Sequence, residues 1–156
     1  MEGLTEAIAA IANLDDTEKT VVGGRKRYTT VATRTEIFRR YCPSGSIETS
    51  VTHDDNDRVV VRAIVGDQDE RLRSSGYAEE VRSTRGVNST SAIENCETSA
   101  VGRALANLGL HGGEYASADE MVVALSAQQQ LEDSATPLHP PPPPPPTLPT
   151  PDEQPV

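Results

Sequence analysis

The stretch Gly76–Gly109, GYAEEVRSTRGVNSTSAIENCETSAVGRALANLG, carries the reading that decides the fold. It joins the end of a strand to the clearest helix in the chain. On the strand side, Arg71–Val81 alternates, with Leu72, Ser74, Gly76 and Ala78 on one face and Arg71, Arg73, Ser75 and Tyr77 on the other. A polar loop follows over Ser83–Ser89, with Arg82 and Arg85 near its start. Ser91-x-x-Glu94 fits a capping box at the start of a helix over Ile93–Leu108. Its buried stripe is expected to be Ile93, Cys96, Ala100, Ala104 and Leu108, and Gly109 to cap its end. Ser99, Ala100, Gly102, Ala104 and Ala106 are small, so this helix can approach a sheet closely. A glycine inside a helix costs about 1 kcal/mol against alanine, so Gly102 implies close contact with something.

Working outward, Ile47–His53 alternates and Asp54-Asp55-Asn56-Asp57 is a turn cluster. Arg58–Val65 is a valine-rich strand and Gly66–Glu70 a second polar turn. These turns are too short for crossovers, so the strands form an antiparallel meander. Upstream, Thr33–Tyr41 reads as a helix stopped by Pro43 and Gly45, and Leu4–Leu14 as a short helix with Leu4, Ile8 and Ile11 on one stripe. Downstream, Glu114–Ala127 reads as a last short helix. The expected class is α+β: a three-stranded antiparallel meander with a long helix packed across it and short flanking helices.

The 156 residues suit one domain, organised as an N-terminal helix (1–18), a binding domain (19–131) and a tail (132–156). Pro140–Pro146 is an unbroken proline run, which predicts polyproline II or disorder. Cys42 and Cys96 have no metal-site spacing and read as reduced thiols, consistent with the cytoplasm of a bacterial host. No apolar run is long enough for a membrane span. The histidines are scattered and no phosphate loop, nucleophile elbow or zinc-protease motif occurs. Asp54, Asp55 and Asp57 read as a solvated turn rather than a metal site. The expectation is therefore a protein that is not an enzyme and needs no cofactor or metal.

The net charge of −10 conceals an asymmetry. All 14 Lys and Arg residues lie between Lys19 and Arg103, a window holding 12 of the 24 acidic residues. A mildly basic middle between acidic ends is compatible with nucleic-acid binding. Arg25-Lys26-Arg27-Tyr28 follows Gly23-Gly24 and combines phosphate-neutralising groups with a ring that can stack on a base. Arg71 and Arg73 share a strand face with Tyr77, and Arg62 is expected to join them from the neighbouring strand. Arg103 is the one basic residue on the long helix. Arg82 and Arg85 complete the expected set of DNA-binding residues.

The run SAIENCETSAVGRALANLGLHGGEYASADEM, preceded by GYAEE, resembles phage single-strand annealing proteins of the Erf and Sak kind, which are related to the recombination family called Rad-fifty-two. The matching elements are Gly76-Tyr77, Thr98, Arg103-Ala104-Leu105 and Gly109, and GGRKRYTTVATRTEIFRRYCPSGSIET resembles that family's basic loop and first helix. The resemblance implies a Rad-fifty-two-like annealase core that binds single-stranded DNA and anneals complementary strands without ATP during phage recombination and repair. It also implies a homo-oligomeric ring or helical filament. Gly102 and Ala106 stand where that family often carries further bases, which shifts the expected phosphate contacts toward Arg25–Tyr28 and the strand arginines. The proline-rich acidic tail is expected to recruit a replication or recombination protein. An adaptor acting mainly through that tail is the alternative.

Overall fold

The alternation in Arg58–Val65 becomes the central strand of a three-stranded sheet in a computed structural model, which describes residues 1–24, 26–67, 69, 72–82 and 91–135. In chain order the elements are α1 (Leu4–Ala12), a 3-10 turn (Asp16–Glu18), β1 (Thr20–Val22), β2 (Lys26–Tyr28), α2 (Val31–Tyr41), β3 (Gly45–Asp54), β4 (Arg58–Asp67), β5 (Arg73–Val81), α3 (Ala92–Asn107) and α4 (Ala118–Ala135). The meander is as expected: the sheet order is β3-β4-β5, antiparallel throughout. The loop at Ser83–Ser89 lies outside the described residues, as do residues 136–156 with the proline run.

One face of the sheet forms the core. Val59, Val61, Ala63 and Val65 of β4 and Ala78 of β5 are buried against Cys96, Ala100, Ala104 and Leu105 of α3. Ile37 and Phe38 of α2 and Ala7 and Ile11 of α1 join the same cluster. Gly76 explains how α3 comes so close. A Cβ there would stand 2.3 Å from the Ala100 carbonyl oxygen and 2.5 Å from the Ala104 nitrogen, so only glycine admits the helix backbone. Ser74 strengthens the seam, its hydroxyl donating to the Ala104 carbonyl at 2.6 Å.

Gly102 serves a different contact from the one expected. A Cβ there would meet Val31 Cγ2 at 2.7 Å, so its smallness admits α2 rather than the sheet. Ile93 is 41% exposed and does not belong to the buried stripe, which runs through Ala92, Cys96, Ser99 and Ala100 at i, i+4, i+7 and i+8. Ser91 makes no side-chain cap. The Gly109 cap is as expected: at φ 102° it lets its own N–H reach the Ala106 carbonyl and that of Leu110 reach Leu105.

Three further differences concern the flanks. Gly23-Gly24 opens a β-hairpin rather than a loop, with both glycines at positive φ and Thr20 opposite Tyr28. α2 begins at Val31, two residues early, because the Thr30 hydroxyl caps it by accepting from Thr33 N–H and Asp119 accepts from Val31 N–H at 2.7 Å. α4 continues past Ala127 to Ala135. Its start is set by Ser117 and Glu120, whose side chains each accept from the other's backbone N–H. The S-x-x-E signal was thus real at 117–120 and not at 91–94.

Candidate nucleic-acid interface

Arg34 separates structural from available basic groups. It is fully buried, and its guanidinium donates to Thr29 Oγ1 and to the carbonyls of Gly102, Tyr115, Glu114 and Ala116 at 2.8–3.1 Å. Desolvation lowers its pKa, opposed by the charges of Glu120 and Asp119. Its work is to hold the segment between α3 and α4 against α2. Nothing in the spacing of Thr33–Tyr41 distinguished it from Arg39 and Arg40, which are exposed.

Several expected DNA-binding residues are committed elsewhere. Tyr28 is only 6% exposed and packs with Val22 and Ala118, so its ring is not a stacking platform. The hairpin reading explains this, since Tyr28 is the inward residue of β2. Lys26 pairs with Glu114 at 3.2 Å, and Arg27 with Asp16 at 3.5 Å while donating to the Asp16 carbonyl. Arg82 pairs with Asp54 and donates to the Asp55 carbonyl at 2.9 Å, fastening the β3–β4 turn to the end of β5. Arg103 reaches Glu120 at 2.8 Å and the Tyr77 carbonyl at 2.7 Å. Arg25, Arg71 and Arg85 lie outside the described residues.

Basic and aromatic groups meet on the face of the sheet away from α3, which no described helix covers. Arg62 stands directly opposite Tyr77 across β4 and β5, and Arg58 and Arg73 fall on the same face by register. The Arg62 guanidinium lies over the Tyr77 ring, 5.6 Å from its centroid, and the ring is 51% exposed. Arg62 makes no hydrogen bond or ion pair with another described residue, and its Nε is buried without a partner. Arg58, absent from the expected set, also belongs to this face but is paired with Glu79 at 3.2 Å. Its position at the start of a strand could have suggested this, since i, i+2 and i+4 share a face. Glu48 from β3 adds a second carboxylate, so the surface is mixed rather than uniformly basic.

Two other features are not phosphate sites. The turn acids are organised internally, with Asp55 accepting from Asp57 and Arg58 N–H and bonded to His53. The backbone bonds, Arg58's the larger, and His53 hold the Asp55 carboxyl down at about 2. A cleft of about 300 Å³ lined by Thr20, Thr30, Asn95, Thr98 and Asp119 over Val122 and Val123 contains a carboxylate and no Lys or Arg. Among the described residues no cluster of His, Cys, Asp and Glu could hold a metal, and no helix is long and apolar enough to cross a membrane.

The core from α2 to α3 thus defines an α-β-β-β-α domain with its helices gathered on one side of the sheet. The family described as "Slr1353 N-terminal dsRNA-binding domain-like" matches residues 26–108, the span of that core, and the chain belongs to this family. No curated protein and no solved structure matched the chain. Membership corrects the expected kinship with the Erf, Sak and Rad-fifty-two annealing proteins. The residues that suggested it have structural duties here: Gly76 admits α3, Arg103 ties α3 to β5 and α4, and Gly109 ends α3.

Proposed function

We propose that the chain is a nucleic-acid-binding domain without catalytic activity, that its ligand is double-stranded RNA, and that it meets this ligand on the open face of the sheet. The family's description supports the ligand class. The observation that carries the face is Arg62, held against the exposed Tyr77 ring and in no ion pair with a described residue. Duplex RNA is recognised chiefly by shape and by contacts to phosphates and 2′-hydroxyls. A rigid strand pair presenting arginines suits that mode better than a mobile loop. The carboxylates of Glu48 and Glu79 on the same face make the expected affinity modest, and the few available arginines make its salt dependence shallow.

The exposed Tyr77 ring favours a second reading, a single-stranded ligand stacked on it. ATP-independent strand annealing belongs to that reading. Fluorescence anisotropy of the full chain at low salt separates the two, using an RNA duplex of about 16 base pairs and single-stranded DNA of equal length. Tighter binding of the duplex is expected, weakened about tenfold by Arg62→Gln, or ~1.4 kcal/mol. Preference for the single strand, lost in Tyr77→Ala, favours the second reading. Failure to bind either ligand refutes both.

A further inference from the structure

The two edges of the sheet are finished differently. On β5 the outward carbonyls of Ser75 and Tyr77 are taken up by Asn107 and Arg103 of α3, each at 2.7 Å. That fixes the direction of every backbone group in the sheet, because successive residues of an antiparallel strand face alternate neighbours. Ser75 and Tyr77 stand opposite Ile64 and Arg62. Ile64 and Arg62 therefore turn their N–H and C=O toward Glu48 and Ser50 of β3. Ile47, Thr49 and Val51 turn theirs away from the sheet, and no described residue bonds to those groups. The edge is closed on both sides of this segment. The Gly45 carbonyl accepts from Arg39 at 2.9 Å, and the register shifts by a bulge after Val51.

We propose that β3 pairs antiparallel with β3 of a second copy of this chain, about a two-fold axis at Thr49. The register follows from three requirements. Centring on Thr49 sets Thr49 against itself and Ile47 against the partner's Val51, so all three open residues exchange both backbone bonds. Centring on Glu48 leaves Val51 outside the open stretch and puts two carboxylates face to face. Centring on Ser50 sends Ile47 against His53, beyond the bulge. In the Thr49 register Glu48 faces the partner's Ser50, and Val51, 49% exposed in the single chain, covers Ile47. A two-fold pairing is isologous and closes on itself. The chain's own Pro140–Pro146 run cannot take this place, since proline has no N–H to donate to a ladder.

One feature opposes the pairing. Thr49 Oγ1 donates to Glu97 of α3 at 2.6 Å, so the Glu97 carboxylates of both copies flank the axis. Three ladder pairs also bury less than the 1,200–2,000 Å² or so of a stable interface, so the dimer is weak and concentration-dependent. It sets two open faces side by side on one continuous sheet. That consequence for a ligand rests on the function proposed above, whereas the pairing itself does not.

Amide hydrogen exchange by NMR on the full chain, at dilute and near-millimolar concentration, tests it alongside sedimentation velocity. The expected result is a dimer at high concentration in which the Ile47, Thr49 and Val51 amides become about tenfold or more better protected. Glu97→Gln should tighten the dimer. Thr49→Pro, which removes the outward N–H and the hydroxyl that meets Glu97 but no ladder bond to β4, should stay monomeric with an unchanged circular dichroism spectrum. A monomer at every concentration overturns the proposal. So does a dimer in which those three amides exchange as in the monomer, and that test requires no variant to fold.

Discussion

Arg34 and Arg62 look alike in the sequence and do opposite things in the fold. Arg34 is spent on backbone carbonyls, and removing it deprives four of them of a donor, the buried one of Gly102 and the partly buried ones of Glu114, Tyr115 and Ala116. Arg34→Met is therefore expected to cost about 3–5 kcal/mol in urea unfolding. Arg34→Lys should recover only part of this, because a single ammonium cannot reach the carbonyls that the donors around the edge of the planar guanidinium span. Asp55 gives a pH prediction with a definite sign. A carboxyl held at about 2 stabilises its turn fully above the ordinary carboxylate value near 4, and that support is lost as pH falls through about 2. An NMR titration of Asp55 should show that midpoint, and Asp55→Ala should abolish the acid-induced loosening of the β3–β4 turn. Burial raises both Cys42 and Cys96 thiols above their ordinary pKa. Both should resist a thiol reagent at pH 7–8 until the chain unfolds; rapid labelling of the native protein would contradict this.

The meeting of β5 and α3 at Gly76 depends on a missing side chain. Gly76→Ala pushes a methyl into the backbone of α3, which cannot step aside, and should cost about 3 kcal/mol in thermal or urea unfolding. Ser117→Ala removes the α4 cap for about 1 kcal/mol. Much at this scale was legible in the sequence. Alternation gave β4 and β5 and brought Arg62 to the strand beside Tyr77, though not the register that sets the two opposite; small residues announced a close-packed α3; Gly109 marked its end. The β1–β2 hairpin was not legible, because three-residue strands carry too few alternations to register, and Tyr28 was misread as exposed for that reason. The capping signal appears twice, at 91–94 and 117–120, and local pattern alone cannot choose between them. Tertiary contacts do so: Arg103 also holds Glu120, while Glu94 is exposed.

At the scale of the molecule, the charge asymmetry was visible but its meaning was not. Most described basic residues between Lys19 and Arg103 turn out to be paired or buried, so a count of Lys and Arg overstates what is available to phosphates. Pairing between residues as distant as Lys26 and Glu114 cannot be read from a linear sequence. The resemblance to annealing proteins arose from a helix whose glycines and arginine answer to packing. The central claim is that the open sheet face meets nucleic acid. Chemical-shift mapping of the isotopically labelled full chain with an RNA duplex of about 16 base pairs tests it most directly. The expected result is a salt-sensitive cluster of shifts at Arg62, Arg73, Ser75 and Tyr77. Shifts confined to the β1–β2 hairpin, or none at low salt, would contradict it.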